Sequence, residues 1–127
     1  MGIGPAIGEI NYSVTSSTFE RQPNGSVRVA VNLEGTATGY GTVTGTLNFI
    51  SPTPGATVGP LNWTGAAFQP SGEVIGATAE GFWRKVDGKQ QWKVYGINLT
   101  STGTVLLAEA TLDLASRSYQ GTLAEWS

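Results

Sequence analysis

The chain has no histidine and no cysteine among its 127 residues, and only 13% of it is charged. Each absence removes chemistry. Without an imidazole or a thiol there is no Ser-His-Asp triad and no cysteine nucleophile. Disulfides and a zinc site of the usual ligands are excluded too. Asp87 and Asp113 are the only aspartates, so no Asp-rich loop offers an oxygen cage for calcium or magnesium. No metal or cofactor is expected. Arg84-Lys85 is the densest cationic cluster in a chain of net charge −2, which lacks the basic footprint of a nucleic-acid binder. No apolar run approaches the ~20 residues needed to cross a bilayer, so no membrane partner is expected. The opening MGIGPAIGEI lacks the basic and apolar regions of a signal peptide. Together with the missing cysteines this gives an expectation of a cytoplasmic protein.

What is present points to β-structure. Glycine is frequent (18 residues), and it falls between runs rich in Val, Thr and aromatics rather than on any helical period. Turn signals recur at Asn24-Gly25, Gly39-Tyr40-Gly41, Pro70-Ser71-Gly72, Asp87-Gly88, Thr102-Gly103 and Ser116-Arg117. They separate eight predicted strands: Glu9–Glu20, Ser26–Thr38, Gly41–Phe49, Pro60–Gln69, Glu73–Lys85, Gln90–Thr100, Thr104–Leu114 and Tyr119–Trp126. One connection is longer and rich in Pro and Gly, Ser51 to Gly59. Residues 1–127 read as one all-β domain, an eight-stranded antiparallel up-and-down β-barrel. Closure removes the exposed edges an open sheet would have to protect. A β-sandwich is the rival architecture.

Turn geometry sets which residues face each other. Two-residue turns at Asp87-Gly88, Thr102-Gly103 and Ser116-Arg117 place Val74, Glu80, Phe82, Arg84, Lys93, Tyr95, Ile97 and Leu99 on one face with Leu106, Ala108, Ala110, Leu112, Tyr119 and Leu123. That face is the expected interior. In the early strands, Val29, Val31, Leu33, Val43, Leu47, Phe49, Leu61 and Trp63 point inward. Trp83 then pairs with Trp92 on the outside, where Trp126 lies beside Leu107.

The expected interior contains one anomaly, the carboxyl of Glu80 beside Tyr95. Burial disfavours the charged form of a carboxyl and moves its pKa toward the range useful for proton transfer. Glu80 and Tyr95 are thus the candidate catalytic pair. Phe49, Trp63, Phe82 and Tyr119 would wall a substrate, and Arg84 and Lys93 would receive an anionic group at the barrel mouth, with the Ser51–Gly59 connection as a lid. The bland alternatives are a Glu80 ion pair or a misread register. Small interior residues (Gly35, Gly45, Gly65, Gly76, Gly121) either leave a cavity or relieve strand bending. Exposed tryptophans at Trp83, Trp92 and Trp126 suggest a homo-oligomer interface. Gly39-Tyr40-Gly41 is no phosphate loop, because a strand follows it rather than a helix.

The stretch Asn32-Leu33-Glu34-Gly35-Thr36 and the Gly-rich meander resemble bacterial relatives of the allene oxide cyclase and dirigent group, small calycin-like barrels. The lipocalin Gly-x-Trp entry motif is absent. The resemblance is architectural and carries over no catalytic residue. It implies a barrel that holds a hydrophobic or phenolic molecule and steers a cyclisation or isomerisation. Three readings follow. The first is a cyclase, isomerase or lyase working by Glu80 acid–base chemistry on a small apolar molecule. The second is a non-catalytic carrier of a small hydrophobic molecule. The third is an oligomeric structural or adhesive module.

Overall fold

Alternating β-branched and glycine-punctuated runs form eight strands. They are β1 (Ile3–Arg21), β2 (Val27–Ala37), β3 (Gly41–Ser51), β4 (Val58–Phe68), β5 (Val74–Lys85), β6 (Gln91–Thr100), β7 (Val105–Asp113) and β8 (Ser118–Trp126). The computed structural model describes residues 3–53 and 55–126. Each strand pairs antiparallel with the next, and β1 pairs with β8, so the sheet is a closed barrel in sequence order. The barrel and the count of eight agree with the sequence, and the sandwich is excluded. Among the described residues there is no helix, and hence none long and apolar enough to cross a membrane.

β1 is longer than the sequence predicts because its two pairings are staggered, with Ile3–Ser13 against β8 and Ile10–Arg21 against β2. The ladder slips between Val14 and Ser16, and a bulge of this kind lets one strand bend around the wall. Alternation puts Ile10 and Val14 inside before the slip, while Phe19 pairs with the inward-facing Val29 after it. The best-buried side chains, Val31, Leu33, Leu47, Val94 and Leu112, come from β2, β3, β6 and β7 and meet across the barrel. Burying one such side chain stabilises the fold by roughly 1.5–3 kcal/mol.

Several turns differ in length or position from their sequence-predicted form, but only one difference changes a face. At β2–β3 the turn is Thr38–Tyr40 and Val31 opposes Leu47. At β7–β8 four residues separate Asp113 from Ser118 and Leu112 opposes Tyr119. Both slips move a pairing by two, which keeps every side chain on its side. The β6–β7 turn is different. Thr100 N–H donates to the Thr104 carbonyl at 3.0 Å, enclosing three residues, Ser101–Gly103, with Gly103 at φ 87°. Leu99 therefore opposes Val105, and Asn98 opposes Leu106. The sequence reading took Thr102-Gly103 as a two-residue turn. The one-residue error inverts β6, and β5 with it. A left-handed glycine closing a three-residue hairpin is the physical cause.

The correction is large. Val74, Phe82, Ile97 and Leu99 are exposed on the outer surface, whereas Ile75, Ala79, Trp83 and Val94 are buried inside. Gly76 lies outward as well, opposite Ala66.

Candidate functional site

The barrel axis is blocked at its middle by aromatic side chains. Tyr12 is stacked between Trp63 and Tyr119, with ring centroids 5.9 Å and 5.7 Å away and the planes within 12° of parallel. The Trp63 ring finds its place because β3 and β4 present Gly45 and Gly65 beside it. A Cβ on Gly45 would come within 2.6 Å of the indole. Only small voids of about 50 and 60 Å³ border this stack. Trp63 and Tyr119, expected to wall a substrate, do face inward, but they plug the centre.

The aromatic plug has an electrostatic signature. Burial pushes the Tyr12 phenol up to about 12. Burial, and then the neighbouring Tyr12, raise Tyr119 further. Both phenols stay neutral in the fold while an unfolded chain ionises them near pH 10, so their contribution is complete below that pH and is lost as pH rises above it. Stability should fall by as much as about 3 kcal/mol on account of Tyr12 alone between about pH 10 and 12. Urea unfolding of wild type and Tyr12→Phe on either side of that window checks it; equal losses in the two proteins would refute the assignment.

Above the plug, at the end carrying the β1–β2, β3–β4, β5–β6 and β7–β8 connections, the interior opens into a chamber of about 180 Å³. Its aromatic wall is Phe19, Phe49, Trp83 and Trp92, and Leu112 and Ala56 are among the other side chains around it. Phe49 meets Trp83 edge to face, centroids 6.4 Å apart, and the Trp83 indole N–H donates to the Ile50 carbonyl at 3.2 Å. That bond fixes the ring and satisfies its polar atom, so the chamber wall is largely apolar, with Ser51 as its polar side chain. Ala56 belongs to the long connection, which thus reaches the mouth as the sequence suggested. At the rim Lys85 holds its ammonium 5.2 Å from the Trp92 ring centroid and donates to the carbonyls of Val86 and Lys89.

Of the residues singled out from sequence, Phe49 lies in this chamber. Glu80, Phe82, Arg84, Lys93 and Tyr95 do not, because all five stand on the outer face of β5 and β6. Glu80 is exposed and opposes Ile97 rather than Tyr95. The interior carboxyl–phenol pair is therefore absent, and with it the proton-transfer site expected inside the barrel. Arg84 donates to the Tyr95 hydroxyl at 3.3 Å, outside the barrel. Trp83 and Trp92, expected as an exposed interface, face the interior, and Trp83 is only 4% exposed. Trp126 alone of the three is an exposed surface residue.

The sequence reading missed Tyr12 and Asn98 as interior groups, Phe19 as a rim residue that stays 67% exposed, and Lys85 as the charge at the mouth. Phe19 was hidden by the β1 bulge, and Asn98 and Lys85 by the inverted strands. Among the described residues no three acidic side chains gather as a metal site. Comparison of the chain with protein-family models, curated proteins and solved structures finds no match.

Proposed function

We propose that the protein is a carrier that takes one small, largely apolar molecule into the chamber at its mouth. The observation that supports this most is the chamber itself. A dry apolar cavity of about 150 Å³ holds benzene, and this one measures about 180 Å³ with four aromatic side chains around it. The fit is to a single substituted ring or a short branched alkyl group. Glu80 lies beyond the wall and does not reach such a molecule, so the carrier reading stands ahead of the acid–base one.

Toluene is a suitable probe. Wild type should bind it and gain thermal stability, by about 1.4 kcal/mol at tenfold excess over Kd. Ala56→Trp, which fills the chamber from the connecting loop without touching a strand, should remove that gain and leave the fold intact by near-UV circular dichroism. Absence of any shift in wild type, or an equal shift in the variant, would discard the proposal.

A further inference from the structure

The outer surface of the barrel has two unlike halves. Over β1–β4 it is polar and tied by side-chain ladders. Asn32 joins Ser16 to Thr46, at 2.7 Å on each side, and Asn48 joins Arg28 to Asn62, at 3.3 and 2.9 Å. Over β4–β8 large apolar side chains stand exposed beside Glu80, Arg84 and Glu109. Phe82 is 69% exposed and Ile97 49%, far more than an isolated surface hydrophobe needs.

This second half is also shaped. Two rows of outward side chains cross the strands. One runs through Pro60, Phe82 and Tyr95 to Glu109, and the next runs through Asn62, Glu80 and Ile97 to Leu107. Between them the backbone of Gly81 and Gly96 forms the floor of a groove of about 820 Å³. The five strands span about 19 Å at ~4.8 Å spacing, and three or four rows cover about 20 Å along them, a flat area of about 400 Å². That is about half of the ~800 Å² each partner contributes to a standard interface, the size of a weak, concentration-dependent contact.

We infer that this groove is the interface of a two-fold dimer, occupied by a second copy of the chain. Charge order along β5 selects that occupant. Arg84 and Glu80 flank Phe82, two residues to either side. A two-fold axis that crosses β5 at the Phe82 row, on the edge of the groove, sets the two Phe82 side chains against each other and brings Arg84 over Glu80 of the second copy, twice by symmetry. An isologous contact of this kind needs a self-complementary patch, and an apolar ridge flanked by opposite charges supplies one.

Sedimentation equilibrium over a concentration series tests it. Wild type should dimerise. Arg84→Glu and Glu80→Arg should each raise the dimer Kd at least about tenfold, and the double exchange should return it toward wild type. Phe82→Ser, at an exposed position that leaves the core intact, should also dissociate the dimer. A wild-type chain that stays monomeric overturns the inference, whether or not it binds some other protein. So does a dimer whose Kd is indifferent to Arg84→Glu and Phe82→Ser.

Discussion

Gly81→Ala should cost the barrel more than about 3 kcal/mol, the upper end of what overpacking exacts, although it adds one methyl group. A Cβ at this position would collide with the Tyr95 carbonyl oxygen and stand 2.8 Å from the Gly96 Cα. These are backbone atoms of the neighbouring strand, so no rotamer change relieves the contact. The β5–β6 ladder must open or the wall must flatten. Against a total stability of about 5–15 kcal/mol, a loss of about 3 kcal/mol raises the unfolded-to-folded ratio by about 150-fold. Gly76→Ala, five residues earlier on the same strand, is the matched control. Its Cβ would meet nothing within 4 Å, and it should be neutral or slightly stabilising. Urea unfolding of the two variants beside wild type distinguishes them, and coincident midpoints would refute the wall geometry.

Trp83→Ala should destabilise by about 3–5 kcal/mol, as deletion of a buried indole does. The ring is 4% exposed, packs edge-on against Phe49, and donates to Ile50. Its removal opens the chamber into a larger void and leaves the Ile50 carbonyl without that donor. Trp83→Phe retains most of the packing and should lose about 1 kcal/mol for the missing hydrogen bond plus a modest cavity cost. Had Trp83 stood on the outside, as its sequence pairing with Trp92 suggested, alanine would cost little. Denaturant midpoints of the two variants settle which side it occupies, and a Trp83→Ala cost below about 1 kcal/mol would return it to the surface.

The contrast shows where sequence reasoning reached and where it stopped. Strand number, antiparallel order and closure were legible because turn residues punctuate the chain at short intervals. In β2, β3, β4, β7 and β8 the inner face was legible too, since Val31, Leu33, Leu47, Leu61 and Leu112 alternate with Thr, Asn and Glu. β5 and β6 offered no such contrast. Their outer face carries Phe82, Tyr95, Ile97 and Leu99, while their inner face mixes Ala79, Gly81, Gly96 and Asn98 with Trp83 and Val94. Composition favours the wrong side there, because the wall curves inward at small residues and the apolar bulk is displaced to the exterior. With period-two alternation undecided, the face rested on one turn, and Thr102-Gly103 fits a two-residue hairpin as well as the last two positions of a three-residue one. The catalytic candidate fell with that choice. The mouth, set by the parity of the connections, did not depend on it.

The stacked ring of Tyr12, held between Trp63 and Tyr119, also decides what kind of vessel the barrel is. It makes a cup rather than a pipe. A molecule held above it leaves by the opening through which it came. Under the carrier reading, residence time is a property of one rim, where Phe19, Ala56 and Trp92 stand, and substitutions at the opposite end should alter stability without altering exchange.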